Sequence, residues 1–332
     1  MSNAGGLPLS IAIGNYDRIR PIRDGQVRID GVDPVFMLLE PEEIFFRAFR
    51  SVDFDICELS LSSFSVKQAA GTNPYVGVPV FPSRMFRHNA FYVNINAGIA
   101  RPEDLRGKRI GLPEYQLTAC VWARIILDEY GVRPEDVTWV RGGMEEAGRI
   151  EKISLDLPAG VRLENAPADK TLSGMLDTGE IDAILGPRAP RAFEAGEDHV
   201  RWLFPDPVVA AKAWYEKTGI FPIMHVLGIR KTLVEQHPWL PSAVVKAFNQ
   251  SRDIAVEALF ETAASRISLP FVEESARSAR ALLGPELWSY GFAQNRHVLE
   301  TFLEHHHRQG LSKKRLSPED LFHPATLETF KI

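Results

Sequence analysis

Two cysteines among 332 residues argue against a disulfide scaffold, and no CxxC or Cys/His ligand spacing points to a structural zinc module. Cys57 and Cys120 lie in apolar settings and are expected to be buried free thiols. No apolar run reaches the ~20 residues that a bilayer span requires, so no membrane partner is expected. The start, Met1-Ser-Asn-Ala-Gly-Gly6, has neither a basic nor an apolar leader region, which predicts a cytoplasmic chain. Positive charge is also in short supply. A net charge of −5, with basic residues scattered rather than striped, argues against a nucleic-acid surface. An anionic ligand would have to be held by a local cluster of cations.

What is present is ordinary globular material. Hydrophobic residues make up 45% and charged residues 24%, and 332 residues suit two lobes better than one small core. Leu9 to Ile13 reads as a short strand ending in the polar turn Gly14-Asn15-Tyr16-Asp17-Arg18. Val32 to Leu39 is a second strand, followed by an amphipathic helix through Phe49. Phe54 to Ser60 is a strand end that opens onto a Ser-rich helix start. Tyr75 to Phe81 and Ala90 to Asn94 are strands flanking a link that carries Arg84, Arg87 and His88.

A second series of the same kind follows. Ile110 to Leu112 is a strand, Thr118 to Tyr130 a helix, Val137 to Val140 a strand, and Thr171 to Asp177 a helix. Ile181 to Leu185 is a strand ending in Gly186-Pro187-Arg188. Phe204 to Gly219 reads as turn-rich, and Ile223 to Ile229 as a returning strand. Apolar stripes through Val244–Phe260, Leu282–Phe292 and His297–His307 predict C-terminal helices.

Alternating strands and helices predict mostly parallel, helix-covered sheets. A chain that leaves the first unit near Asn94 and rejoins it near Ile223 predicts two lobes. These are residues 7–93 plus 224–332, with the C-terminal helices on the first lobe, and residues 94–223. Ligands of open α/β sheets sit beyond the carboxyl ends of the strands. The polar strand ends of both lobes would then meet in one cleft.

Several residues there could carry chemistry. Arg84 and Arg87 are candidates for a carboxylate clamp, since guanidinium forks match carboxylate geometry. His88, Glu114 and His225 are candidate proton donors or acceptors near neutral pH. Tyr16, Arg18, Ser60, Tyr115, Gln116, Thr118 and Arg188 are candidate substrate contacts, and Asp17, Glu58 and Ser62 share the strand ends of Tyr16 and Ser60. Each has a structural alternative: the arginines could pair with surface carboxylates, Thr118 or Gln116 could cap a helix, and His225 could be a core residue. His305-His306-His307 is expected to face solvent. Gly142-Gly143 lacks the remaining glycines of a dinucleotide fingerprint.

The phrase PEDLRGKRIGLPEYQLTA, with LDEYGVRPEDVTW after it, resembles the start of the second lobe in type II periplasmic-binding-protein folds. Within that superfamily, Tyr16-Asp17-Arg18, VPVFPSRMFRH, GLPEYQLTACVWAR, GEIDAILGPRAP, Arg201-Trp-Leu-Phe-Pro-Asp206 and TGIFPIMH resemble the 4,5-dihydroxyphthalate decarboxylase family. The resemblance spans most of residues 8–260. It implies a carboxy-lyase on a two-lobed binding-protein fold, converting 4,5-dihydroxyphthalate to protocatechuate and carbon dioxide. For that reaction the residue types suggest Arg84 and Arg87 on the carboxylates, His88 or Glu114 as proton donor, and His225 at the phenol.

Nothing in the sequence demands an organic cofactor, and a divalent metal held by His and Glu stays open. The expected partner is a small aromatic carboxylate, and a homo-oligomer is compatible with the composition. Two rival readings share the fold: a solute-binding protein for an aromatic carboxylate, and a different lyase or dehydratase acting on a carboxylated ring.

Overall fold

The structure, a computed structural model, describes residues 5–328. Residues 1–4, and residues 329–332 of the expected first lobe, lie outside the described residues. Among the described residues, eleven strands form two sheets. They are β1 (Leu7–Ile13), β2 (Val32–Leu38), β3 (Ile56–Ser60), β4 (Tyr75–Val78), β5 (Phe91–Asn94), β6 (Arg109–Leu112), β7 (Thr138–Arg141), β8 (Arg162–Asn165), β9 (Ala183–Leu185), β10 (Val200–Trp202) and β11 (His225–Arg230). The main helices are α1 (Pro41–Arg50), α2 (Leu61–Ala69), α3 (Thr118–Asp128), α4 (Pro207–Thr218), α5 (Leu240–Ala258), α6 (Val272–Leu283) and α7 (Arg296–Arg308).

The first sheet has the order β2-β1-β3-β11-β4, and the second β10-β5-β9-β6-β7-β8. Strand β3 is buried along its whole length, as a strand covered on both faces must be, and its sequence is correspondingly apolar apart from Glu58 and Ser60. Most neighbours are parallel, as expected. The antiparallel ones are β11, against β3 and β4, and β5, against β9 and β10. Both follow a passage of the chain from one sheet to the other, so each runs against its new neighbours. The register of β11 sets Ser60, at the end of β3, opposite His225, at the start of β11. One antiparallel pairing thus carries a histidine from late in the chain to the carboxyl edge of the first sheet.

Four expectations change. Phe91–Asn94 belongs to the second sheet, not the first, so it is the Arg84–His88 link that spans the two. The turn-rich Phe204–Gly219 segment contains α4. Asp206 caps it by accepting from Val208 N (3.0 Å) and Val209 N (2.9 Å), Pro207 sits in its first turn, and Gly219 stops it at φ +67°. The stripe expected over Leu282–Phe292 is not a helix: α6 ends at Leu283, followed by Gly284 at φ +89°.

The last change concerns the C-terminal helices, which do not pack on the first sheet alone. Helix α7 packs on α3 of the second unit, with Phe302 and Trp122 rings 5.3 Å apart and Arg124 Nε donating to Gln309 Oε1 at 2.8 Å. The same helix reaches the first unit through His306, which the sequence had placed in solvent. His306 is fully buried, with Nε2 3.0 Å from Ser62 Oγ and Nδ1 3.1 Å from Ser312 Oγ. The tail then docks on β4, where a side chain at Gly77 would overlap the Leu321 carbonyl. Cys57 and Cys120 are buried free thiols, and burial pushes the Cys120 thiol up to about 12. Among the described residues no helix is long and apolar enough to cross a membrane.

Burial holds His306 down from 6.5 to about 3. Between those values the unfolded chain binds a proton that the folded chain refuses. Stability is therefore complete above about pH 6.5 and falls on acidification, by about 1.4 kcal/mol per pH unit for this one group. Urea unfolding midpoints measured from pH 7 to pH 5 are expected to fall in the native chain and to fall less steeply in His306→Gln. Equal slopes in the two proteins would assign the acid sensitivity to other groups.

Candidate active site

A buried carboxylate organises the carboxyl edge of the first sheet. Glu58 has no solvent exposure and accepts three hydrogen bonds. Gly14 N donates to Oε2 at 2.9 Å, Tyr16 Oη to Oε1 at 2.7 Å, and His225 Nδ1 to Oε1 at 2.5 Å. Burial alone would raise the Glu58 pKa. The His225 charge and these hydrogen bonds outweigh it and hold the carboxyl below its usual range. Gly14 must be glycine for this geometry, because a Cβ there would stand 2.8 Å from the Tyr16 ring. The bond at Nδ1 fixes the His225 tautomer, and Phe45 packs edge-on against the imidazole at 4.9 Å. The ring is partly exposed, and Nε2 has no partner among the described residues, so it is the nitrogen left for chemistry.

The second unit meets this edge through Thr118, the first residue of α3. Its hydroxyl lies 3.0 Å from Ser60 Oγ and accepts from Ser62 N at 3.0 Å. Arg87 stands nearby, with Nε 3.2 Å from Met224 Sδ, in the residue before His225. Burial lowers its pKa to about 10, and no carboxylate pairs with it among the described residues. It is the cation of this region left for an anionic ligand. Tyr16, Ser60, Thr118, Arg87 and His225 lie around Glu58, which the sequence placed at the same strand end as Ser60 without giving it a part in the chemistry. The signal for Glu58 was a lone acid inside the apolar run Ile56-Cys57-Glu58-Leu59, which only buried donors could stabilise.

Other candidates are engaged elsewhere. Arg18 is wedged between the Tyr16 and Trp288 rings, 4.1 Å from each, and donates to the Pro82 carbonyl. Arg84 does not face this edge. Its guanidinium donates to Phe221 O and Ser289 O at 2.8 Å each and to Asn295 Oδ1, tying the two passages between the sheets to the C-terminal segment. His88 is not beside Arg87's ligand face. It is buried against Phe204 (5.2 Å) and Trp214 (5.6 Å), and burial lowers its pKa to about 4, which keeps the imidazole uncharged at neutral pH.

Glu114 is likewise not a free acid. Arg149 reaches it at 2.7 Å and Lys152 at 3.0 Å, and Arg149 also touches Glu42 of α1 at 3.3 Å. Tyr115 is buried beneath Arg124, 3.8 Å from its ring, and its N–H donates to Glu151 at 2.6 Å. With the Gln116 amide oxygen turned toward the strap 151–153, it accepts from Ile153 N at 2.9 Å. Arg188 is exposed beyond the end of β9. The strap from Arg149 to Ile153 was illegible because it has no periodicity and acts through its charges and its backbone N–H groups. No group of three or more His, Cys, Asp or Glu is arranged for a metal among the described residues.

The fold and this edge define a class: a two-lobed α/β protein of the periplasmic-binding-protein type. The NMT1/THI5-like family model matches residues 85–161. The aliphatic sulphonate binding protein SsuA of Escherichia coli superposes with a TM-score of 0.57 at 13% identity, covering 97% of this chain and 99% of that one. The alkanesulfonate-binding SsuA of Xanthomonas axonopodis, bound to MOPS, gives 0.52 at 14% identity, over 95% and 98% of the two chains. Likeness at that identity shows the fold alone.

Sequence relatives are far nearer. The 4,5-dihydroxyphthalate decarboxylase of Comamonas testosteroni is 62% identical over 98% of this chain and 99% of its own length. The Pseudomonas putida enzyme of the same name is 64% identical over 63% of this chain and 81% of its own. The chain belongs to the 4,5-dihydroxyphthalate decarboxylase family.

Removing the carboxylate strands three donors, the Gly14 N–H among them fully buried. Glu58→Ala is expected to destabilise the protein by about 3–5 kcal/mol, and Tyr16→Phe, which removes one charge-assisted bond, by about 1.5–3 kcal/mol. Chemical denaturation checks both. A Glu58→Ala protein as stable as the native chain would contradict the hub.

Proposed function

We propose that this chain decarboxylates 4,5-dihydroxyphthalate to protocatechuate and carbon dioxide, in the cytoplasm. The observation that carries the reaction is 62% identity over nearly the whole of both chains to a decarboxylase of that name. The residue roles are our own reading of the geometry.

Direct loss of carbon dioxide would leave an aryl carbanion of prohibitive energy. The hydroxyl para to the departing carboxylate offers a lower route. Withdrawing its proton pushes electron density onto the carbon that bears the carboxylate, and that carbon takes up a proton. Carbon dioxide then leaves with its carbon–carbon electron pair returned to the ring, which regains aromaticity. The site needs a base held at the phenol, a cation at the carboxylates and a proton for the ring carbon.

His225 fits the first need, because Glu58 fixes its tautomer and orients the free Nε2. Glu58 acts through His225 and is a positioning residue. Arg87 fits the second, with the Ser60 and Thr118 hydroxyls as neutral contacts. The proton His225 takes from the phenol matches the one the ring carbon gains, and the phenolate left when carbon dioxide departs is reprotonated from solvent, so one proton is consumed per turnover. This reading replaces His88 and Glu114 as donors, since one is uncharged and enclosed and the other is bound by two cations.

The purified chain incubated with 4,5-dihydroxyphthalate is expected to release carbon dioxide and protocatechuate in equal amounts. His225→Ala is expected to lower kcat by about 10²–10⁴-fold with little change in KM. Arg87→Met is expected to weaken substrate binding by about ten- to a hundredfold, from the loss of a charged hydrogen bond. Absence of both products from the native chain would refute the reaction. Native turnover in His225→Ala would refute the base while leaving the reaction standing.

A further inference from the structure

Arg84 and His88, which the Glu58–His225 site leaves unused, line a separate cavity of about 840 Å³ between their link, α4 and α6. That is within the ~300–1,000 Å³ range typical of small-molecule sites. Glu58 and His225 do not line it. Its walls are aromatic and aliphatic. Phe86 and Phe221 stack at 4.7 Å, Trp288 stands edge-on to Phe221 at 5.6 Å, and Leu282 and Leu283 line the side formed by α6.

Two of the lining residues each hold a buried polar atom without a partner: Arg84 Nε and His88 Nδ1. The Arg84 guanidinium is itself buried among neutral acceptors only, the Phe221 and Ser289 carbonyls and the Asn295 amide. Native structures rarely leave buried donors idle, and a desolvated guanidinium without a carboxylate attracts an anionic oxygen. Exposed Lys212 and Glu274, also on the lining, offset each other in charge, so Arg84 supplies the net cation. A single buried cation suits one negative charge, and flat walls of Phe86, Phe221 and Trp288 suit an aromatic ring.

We propose that this cavity is a second ligand site, for a small aromatic monoanion, distinct from the site that carries the reaction. The carboxylate or an equivalent anionic group would face Arg84 and His88, and the ring would lie among Phe86, Phe221 and Trp288.

The test uses 2-naphthoate and the full chain, with calorimetry for affinity and a co-crystal structure for position. One equivalent is expected between α4 and α6, and neutral 2-naphthamide is expected to bind at least about tenfold more weakly. Filling the cavity by Ala279→Trp, or by Ser278→Trp at an exposed position, is expected to weaken 2-naphthoate binding at least about tenfold while dihydroxyphthalate turnover is kept. Naphthoate found only at Glu58 and His225, equal affinity for the amide, or no effect of either tryptophan would overturn the proposal. Loss of turnover in a folded tryptophan variant would overturn the separation of the two sites. Because the readout is binding and position, the proposal stands or falls independently of whether the chain is a decarboxylase.

Discussion

A carboxylate with no access to water is costly unless donors surround it, since the penalty of burying an ion is several kcal/mol even after relaxation. Glu58 meets that condition with three donors from three places in the chain: Gly14 after β1, Tyr16 in the turn beyond, and His225 at the start of β11. None of these elements can shift without leaving a charge or a donor unsatisfied. The first turn of the protein, its third strand and its returning strand are thus tied at one oxygen pair. The remainder of the site is arranged by that constraint. Ser60 lies two residues along β3, Thr118 meets Ser60 from the second unit, and Arg87 reaches the residue before His225.

The link between the sheets shows how burial, rather than residue type, decides what a charged side chain does. Arg84, Arg87 and His88 sit within five positions of one another. Arg84 turns into neutral carbonyls and holds the two passages together, Arg87 keeps a guanidinium without a carboxylate, and His88 goes among aromatic rings and loses its basicity. Three residues that look like one constellation in the sequence serve three surroundings. The same holds for Glu114, a free acid by sequence and by structure a carboxylate anchored by Arg149 and Lys152, of which Arg149 also reaches Glu42 of α1.

The strands and most helices were legible because they are short apolar runs bounded by turn residues, and the polar strand ends pointed to Tyr16, Ser60, Thr118 and His225, which the structure brings to one edge. Two kinds of information were not. Sheet membership of Phe91–Asn94 depends on pairing partners ninety residues away, which no local pattern encodes. Helix α4 was hidden by its own capping: Asp206, Pro207 and Gly219 read as turn residues, yet at those positions they start and stop a helix. His306 shows the opposite failure. A run of three histidines looks solvent-exposed, but the helical repeat turns one of them inward onto Ser62 and Ser312.

Binding proteins and an enzyme on this fold differ in what they require of the cleft. Holding an anion takes cations and N–H groups, and the imidazole adds nothing that an arginine would not supply better. Moving a proton twice on one substrate requires a group whose tautomer is fixed and whose second nitrogen is open. The register of β11 against β3 supplies that, because an antiparallel strand begins where its parallel neighbours end. A parallel β11 would have put His225 at the far edge of the sheet, away from Glu58. Under the reading proposed above, the direction of one strand is what converts a clamp for carboxylates into a site that can exchange a proton with the ring.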